Sequence, residues 1–445
     1  MRKVPITLEG HRDASAPLTW PQRRTWRGSR LKHRLCRVIP LPAGVTLDQV
    51  RGALQWAYQE FEALRTTFPT DADGVPCQKV EARGEIDISV LESGEDCVEA
   101  DVDAVAQVFR RELHDPAVDP PVLFAVVVVG ERPAYLVTAA SHLALDALGF
   151  RVLRNALNDY LLLGAWKRPK GSSLQPIDRA RYEQSPTGQE KNSVALAYWQ
   201  KVLAACPHRD ELSRAATMDS PAVRAAVAVL AKQRKVSTSI VYLAAVAVIT
   251  GALTRRSAAS FRAAASNRRD ARERYCVGEL VQFMPGLIEE LDAPFTEIIK
   301  GAWEASIRGF RFSHYDEEAL QEIFRELDGV ELDFAYNDSR SAGQDSPVEN
   351  SGDDLNCMDA TRIEPVRGAF RTDSRFLSVI VRDGAGKEGA VLGVVVHDAY
   401  FLEIRVEQVL LALEALIVGA ARGEAEPAEH PLRFTRAFLG ERTDR

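Results

Sequence analysis

The apolar run Val122–Val129 is the feature that most limits what this chain can fold into. A β-branched run of this length, bounded by turn residues, predicts a strand buried on both faces. Gly130-Glu131-Arg132-Pro133 predicts a turn, and residues 135–140 form a second apolar run. We therefore expect a hairpin at the centre of a β-sheet.

Helical periodicity marks segments on both sides of that hairpin. Apolar residues over residues 47–64 step by four and three, which predicts one amphipathic helix. Residues 167–192 and 338–360 lack such periodicity, which predicts a connector and an exposed loop. Further helices are expected just past Gly149 and at residues 193–204, 238–253, 295–310, 317–327 and 403–420, and further strands at residues 331–336, 376–382 and 390–396.

Composition narrows the class of protein. The chain has 445 residues, of which 46% are hydrophobic and 27% charged, so a disordered chain and a coiled coil are excluded. A net charge of −7 does not indicate a nucleic-acid binder. Basic side chains nevertheless concentrate in residues 23–37 and 255–274. These stretches are either solvated faces or docking surfaces for an acidic partner.

The cysteines indicate neither a metal site nor a disulfide framework. None lies in a C-x-x-C pair, so a reducing compartment fits. No apolar segment follows the basic N-terminus, which predicts no signal peptide, and no apolar run is long enough to span a bilayer. We expect a cytoplasmic protein. The cysteines are Cys36, Cys77, Cys97, Cys206, Cys276 and Cys357.

The polar residues that end the hairpin are the first candidates for a functional site. Ser141 and His142 follow an apolar strand directly, and Asp146 appears just before a helix. Polar groups beside a buried strand need partners, because an unpaired one is costly. Taken alone, the segment favours a hydrogen-bonded core histidine and a helix N-cap. Ser141 and His142 do not form a nucleophilic dyad unless the backbone turns sharply between them.

Other segments change that interpretation. Leu18-Thr19-Trp20-Pro21-Gln22-Arg23-Arg24-Thr25-Trp26 is similar to S-x-A-Q-x-R-x-W, and Glu62-Ala63-Leu64-Arg65-Thr66-Thr67-Phe68 ends like L-R-T-x-F. Ser141 to Ala147 falls where H-H-x-x-x-D-G is expected, and Ala197-Tyr198-Trp199-Gln200-Lys201-Val202-Leu203 is similar to Y-W-x-x-x-L. Ser266-Asn267-Arg268 stands where G-R is usual, and Val277-Gly278-Glu279-Leu280-Val281-Gln282-Phe283-Met284-Pro285 is similar to V-G-x-F-V-N-T-x-P. In this order the six segments resemble the condensation domains of nonribosomal peptide synthetases, members of the chloramphenicol acetyltransferase-like superfamily.

The resemblance implies an α/β fold. Two acetyltransferase-like halves, each a mixed sheet flanked by helices, would form a V with the active site in a central tunnel. We place these halves at residues 1–175 and 176–445. Carrier proteins would deliver their substrates to this site on phosphopantetheine arms, with no intrinsic cofactor and no metal.

The resemblance also implies roles for particular residues. His142 would be the catalytic histidine, because a neutral imidazole suits proton transfer near pH 7. Asp146 and Arg268 would form a supporting ion pair, and Arg65 would be structural or shape the tunnel. The tunnel lining would include Ser141, Ala147, Gly149, Gln282 and Phe283.

The motif departs from the family pattern at three places. Ser141 replaces the first histidine, Ala147 replaces the glycine, and Gln282-Phe283 replaces N-T. Glycine at the second place would permit close approach of the pantetheine arm, whereas a methyl group would narrow the tunnel.

Three functions stay open. The first is a free-standing condensation enzyme that joins a carrier-bound acyl or aminoacyl thioester to an amine or an alcohol in natural-product biosynthesis. Its partners would be acyl or peptidyl carrier proteins acting in trans, and a small molecule can serve as acceptor. The second is a catalytically silent docking domain, and the third is an acyltransferase that uses soluble acyl-CoA. We expect a monomer with no nucleic-acid or membrane partner.

Overall fold

The computed structural model describes residues 1–28, 34–112, 114–168, 174–204, 213–327, 330–340, 352–366, 376–383, 390–397 and 404–440. In chain order, helices α1 to α14 are Trp20–Arg27, Leu47–Glu60, Val98–Arg111, Ala147–Leu163, Pro176–Gln184, Pro186–Leu203, Pro221–Arg234, Thr238–Thr254, Ala271–Arg274, Phe295–Arg311, Glu317–Glu326, Val406–Arg422, Ala425–Glu429 and Pro431–Gly440. Strands β1 to β15 are Arg2–Glu9, Ala14–Pro17, Arg34–Pro40, Thr66–Thr67, Cys77–Val80, Arg83–Ser93, Val122–Val129, Arg132–Ser141, Ser213–Asp219, Ala259–Ala265, Gln282–Ile288, Phe334–Asp338, Arg362–Val366, Leu377–Asp383 and Ala390–His397.

The expected α/β fold, with mixed sheets flanked by helices, is confirmed. The described strands form one sheet in the order β1-β6-β7-β8-β3 and another in the order β11-β10-β12-β14-β15-β9-β13, with a small sheet β2-β5-β4. The first sheet pairs β6 with β7 in parallel and its other neighbours antiparallel. The second contains the parallel pairs β10–β12 and β12–β14 beside antiparallel ones.

The predicted hairpin lies at the centre of the first sheet. Strand β7 alternates its side chains between two layers. Val122, Phe124 and Val126 pack with α2 and α4, whereas Ala125 and Val127 pack with α3. Because helices cover both faces, every residue of β7 is apolar, which explains why this strand could be predicted from the sequence.

The structure divides into two compact units. The first contains Met1–Ser193, Ser266–Gln282 and His314–Glu318, and the second contains the rest of the described chain. The core of the second unit surrounds α8, which is buried along most of its length. Among the described residues no single helix is long and apolar enough to cross a membrane; only α7 and α8 together pass that test, as a pair bent by 107°.

Two predicted segments differ from the structure. The helix expected over residues 47–64 ends at Glu60, because Phe61 takes an extended conformation and a short 3-10 turn follows. The connector expected at residues 167–192 is wrong over its described part, which holds α5 and the start of α6. Helix α5 begins at a proline, a favoured first helical residue, and buries Arg179 and Glu183 beside apolar side chains, so its apolar periodicity is weak.

Other predicted boundaries differ by a few residues. Helix α4 begins at Ala147 rather than past Gly149, and α6 begins at Pro186 rather than near residue 193. The loop expected at residues 338–360 contains a 3-10 segment, Gly352–Ala360, and residues 341–351 lie outside the described part of the chain.

The first unit extends beyond residue 175. Ile177 and Ala180 of α5 pack against Ala16 of β2 and Val80 of β5. The unit also gathers Ser266–Gln282, whose side chains bind the turn after β8. The division into acetyltransferase-like halves at residues 175 and 176 stays a prediction.

Candidate active site

The turn after β8 carries His142. The N–H groups of Ala144 and Leu145 donate to the carbonyl of Ser141, at 3.0 and 3.3 Å, which closes the turn. Leu143, Ala144 and Leu145 are buried in the core beneath it. Because these three side chains occupy the core, the imidazole of His142 lies at the margin and keeps 16% of its surface exposed.

Asp146 ends this turn and caps α4. Its Oδ1 accepts a hydrogen bond from the Gly149 N–H at 2.6 Å, as expected of an aspartate at the N-cap. Both of its oxygens also bind the guanidinium of Arg268, at 2.8 and 2.9 Å. The pair is buried, with 2% and 6% of the side chains exposed. The N-cap role and the ion pair are therefore present together.

The same ion pair fastens a distant segment to the turn. Asp146 Oδ2 accepts from the N–H groups of Leu280 (2.9 Å) and Val281 (3.2 Å). Arg268 Nη2 donates to the carbonyls of Cys276 (3.4 Å) and Gly278 (3.2 Å). Residues 276–281 are thereby held beside the His142 turn.

This segment brings Glu279 to His142. The Nδ1 of His142 lies 2.9 Å from Oε2 of Glu279, whose side chain is fully buried. Glu279 was not identified as a site residue in the sequence, where it stands at the variable position of V-G-x-F. A lone acidic residue between apolar neighbours was the only available signal.

The two groups shift each other's proton affinity. The charge of Glu279, opposed by burial, raises the pKa of His142. Burial raises the pKa of Glu279, opposed by the charge and hydrogen bond of His142. An imidazole with a raised pKa is a stronger proton acceptor than an unperturbed one.

Helix α1 braces both parts of the site. Gln22 Nε2 donates to the carbonyl of Leu143 at 3.1 Å. Arg24 Nη2 donates to the carbonyl of Val281 at 3.4 Å and lies 3.8 Å from Glu279 Oε1. Gln22 and Arg24 of the first quoted segment thus contact the His142 turn and the segment that carries Glu279.

Gly149 allows the close approach of these segments. A Cβ atom on Gly149 would lie 2.9 Å from the carbonyl oxygen of Gly278 and 3.0 Å from its nitrogen. The N–H of Asp146 also donates to that oxygen, at 3.3 Å. The backbone contact therefore requires glycine at position 149.

The remaining predicted site residues have different surroundings. Ser141 is fully buried, with its Oγ accepting from the Leu143 N–H at 3.3 Å, whereas Ala147 is exposed. Gln282 is buried, with its amide nitrogen donating to the Tyr315 carbonyl at 2.8 Å. Whether Ser141, Ala147, Gly149 and Gln282 line a tunnel stays a prediction.

Phe283 and Arg65 each have partners of their own, and their roles in shaping a tunnel stay predictions. Phe283 belongs to the second unit, where the guanidinium of Arg262 lies 4.0 Å from its ring centroid. Arg65 is buried and donates to the carbonyls of Tyr58 (3.1 Å), Arg12 (3.2 Å) and Glu81 (2.7 Å). These three hydrogen bonds connect Arg65 to residues near the small sheet β2-β5-β4.

Many arginines of the two basic stretches have partners within their own unit. Arg23 binds Asp316 at 3.1 Å, and Arg27 binds Glu318 at 2.9 Å. In the other stretch Arg256 binds Asp333 at 2.9 Å. These charges are partly neutralised within the fold, which weakens the docking interpretation for both stretches.

The residues of the site form no metal cluster. Over the described ranges, no group of three or more His, Cys, Asp or Glu side chains is arranged to hold a metal ion. What the arrangement supplies is a partly exposed imidazole on a hydrogen-bonded turn, with a buried carboxylate at its Nδ1. Such a pair can move a proton to and from a bound reactant.

Comparison with known proteins identifies the family. The sequence model of the Condensation domain family matches residues 13–364, most of the chain. The chain belongs to the condensation domain family. A probable non-canonical nonribosomal peptide synthetase, CymA, of Salinispora arenicola (strain CNS-205) is 27% identical over 206 residues, 43% of this chain. The matched region is only 3% of that much longer relative.

Solved structures agree with the fold. A condensation domain that mediates chain release from the enacyloxin polyketide synthase has a TM-score of 0.70 at 16% identity, covering 94% of this chain and 84% of its own. The X-domain in complex with OxyB, from teicoplanin biosynthesis, has a TM-score of 0.62 at 17% identity, covering 95% and 96%. At these sequence identities, the structural similarity shows that the fold is shared.

Replacing Asp146 should weaken the structure in a pH-dependent way. We expect Asp146→Asn to lower the free energy of unfolding by about 3–5 kcal/mol near neutral pH, because it leaves the Arg268 charge buried without its partner. Burial alone would raise the pKa of Asp146, but Arg268 and the backbone donors outweigh burial and lower that pKa. The stabilisation is therefore present above the ordinary aspartate pKa and is lost as pH falls through the lowered folded-state pKa.

Urea titrations of wild type and variant between about pH 7 and about pH 3 measure this difference. The exposed Asp48→Asn, in the first turn of α2, is the matched control and should change stability by less than about 0.5 kcal/mol. Equal effects of the two substitutions would contradict the role given to the ion pair.

Two helical glycines should respond oppositely to alanine. Gly52→Ala, in α2, adds a Cβ with no heavy atom within 4 Å, so we expect a gain of up to about 1 kcal/mol from helix propensity. Gly149→Ala gains the same propensity but collides with the Gly278 backbone, so we expect a net loss of about 1–3 kcal/mol. Thermal unfolding of both variants measures the contrast, and a stabilised Gly149→Ala would contradict the close contact.

Proposed function

We propose that this chain is a condensation enzyme that transfers an acyl or aminoacyl group from a carrier-protein thioester to the amine or hydroxyl of an acceptor. The observation that carries the proposal is the His142 turn. Its imidazole keeps 16% of its surface exposed and binds a buried carboxylate, on a turn that the Asp146–Arg268 pair fastens to residues 276–281. A domain used only for docking has no need to bury a carboxylate behind an exposed histidine, because that burial costs free energy.

The chemistry requires one group that both accepts and returns a proton. The acceptor's nitrogen or oxygen attacks the thioester carbonyl and forms a tetrahedral intermediate. Nε2 of His142 takes the proton that the attacking atom loses. The C–S bond then breaks, and the same proton passes to the departing pantetheine sulfur, so the imidazole ends neutral as it began.

The partners follow from this chemistry. The phosphopantetheine arm belongs to the carrier protein and enters as part of the substrate, so the chain itself needs no cofactor. The enacyloxin relative acts in chain release from a polyketide synthase, and the teicoplanin X-domain forms a complex with OxyB. Both fit a fold that works beside the other components of an assembly line, and we propose acyl or peptidyl carrier proteins acting in trans as the partners here.

His142→Ala should abolish product formation. We expect a loss of at least about 100-fold in turnover, because general acid–base catalysis contributes about 10²–10⁴-fold. The assay mixes the protein with a carrier loaded with a defined acyl or aminoacyl group and with amine and alcohol acceptors, and detects the product by mass. The exposed His430→Ala is the matched control and should leave turnover unchanged.

Two other experimental outcomes would contradict the proposal and indicate a different function. If the producing cell makes the same product with a folded His142→Ala variant, the chain acts as a docking domain. If free acyl-CoA is turned over with no carrier present, the chain is an acyltransferase of the soluble-thioester kind.

A further inference from the structure

Glu279 is a fully buried carboxylate, and among the described residues its side chain has a hydrogen bond only with the imidazole of His142. One oxygen lies 2.9 Å from Nδ1 of His142. The other, Oε1, is buried without a hydrogen-bond partner among the described residues, and its nearest cation is Arg24 at 3.8 Å. A carboxylate with half of its hydrogen-bonding capacity unused is costly to keep in the interior. Its presence therefore needs an explanation beyond packing.

The ionisation of Glu279 decides where the protons of His142 lie. An ionised carboxylate can only accept hydrogen bonds, so Nδ1 carries a proton whenever the Glu279 bound to it is ionised. In the neutral ring, Nε2 is then the unprotonated nitrogen. No described residue forms a hydrogen bond with Nε2, and the ring retains 16% exposure. The free lone pair is therefore on the nitrogen that does not bind Glu279.

We propose that Glu279 is a positioning residue for His142, which accepts the Nδ1 proton, fixes the ring orientation and stabilises the imidazolium that forms when Nε2 takes a proton. This carboxylate forms its contact through residues 276–281, which Asp146 and Arg268 hold against the turn. The catalytic consequence rests on the proposed function, whereas the orientation of the ring does not.

The other charges near the pair oppose Glu279 or are already balanced. Arg24, from α1, lowers the pKa of His142 and that of Glu279. Asp146, from the turn itself, raises the pKa of Glu279, but its charge is balanced by Arg268. Glu279 is thus the charge that favours the protonated ring, with a further contribution from the His142 backbone.

The orientation is tested by nitrogen NMR of the intact chain with ¹⁵N-labelled histidine, in which His142→Gln identifies the His142 signals. In the wild type we expect a protonated Nδ1 and an unprotonated Nε2 above the pKa of the ring. Glu279→Gln removes the charge with little change of shape, so the pKa of His142 should fall. An unchanged pKa in a folded Glu279→Gln protein would overturn the proposal, as would a wild-type ring protonated on Nε2 alone.

Two further variants complete the test. Glu289→Gln makes the same chemical change at an exposed position and should leave the His142 signals unchanged. Glu279→Asp keeps the charge on a shorter side chain, so its His142 pKa should lie above that of Glu279→Gln. If Glu279→Gln does not fold, Glu279→Asp decides the question. Its shorter side chain should weaken the contact with Nδ1, so a His142 pKa equal to that of the wild type would overturn the proposed contact.

Kinetics supply the second arm once a product is detected. Glu279→Gln should lower kcat at least about tenfold with little change in KM, because it acts on proton transfer rather than on binding. The acidic limb of the pH–rate profile should move to lower pH, since the ring loses its proton more readily. A profile that keeps its position would overturn the role of the charge. If no substrate is turned over by the wild type, the proposed function fails, but the NMR result still decides the orientation.

Discussion

The buried ion pair between Asp146 and Arg268 is the interaction on which the rest of the site depends. Asp146 ends the His142 turn and caps α4, while Arg268 holds the carbonyls of residues 276 and 278. Each partner alone would be a buried charge, which a fold tolerates poorly. Together they join two segments that are far apart in the sequence, and the joined segments carry His142 and Glu279.

In this arrangement one carboxylate supports the structure and a second one is placed to act in proton transfer. Asp146 is saturated with hydrogen bonds from a guanidinium and backbone N–H groups, so protons are held away from it and its pKa is lowered. Glu279 is equally deprived of water but has few donors, so burial raises its pKa. Two neighbouring carboxylates therefore differ in proton affinity because of their surroundings. The first can serve only as a fixed support, whereas the second can share a proton with an imidazole.

The parts of this structure that could be predicted from the sequence are those with a local signature. The run Val122–Val129 is apolar throughout because helices cover both faces of its strand, and the helix at Thr238–Thr254 is apolar because it is buried. Helix α5 gave no such signature, because Arg179 and Glu183 are buried as a pair, with His314 as a further partner. Glu279 gave only a weak one, a lone acidic residue between apolar neighbours, because its partner is His142 and only the folded chain brings the two together.

The two departures within the histidine motif are accommodated in a closed, hydrogen-bonded turn. Ser141 is fully buried, and its hydroxyl accepts the Leu143 N–H, so the first position of the motif contributes a hydrogen bond to the turn. Ala147 lies at the exposed start of α4, where a methyl group has room and where alanine favours the helix. The position that does require glycine is Gly149, at the Gly278 backbone, and glycine is present there. The changed motif is therefore compatible with the orientation of His142 on which the proposed proton transfer depends.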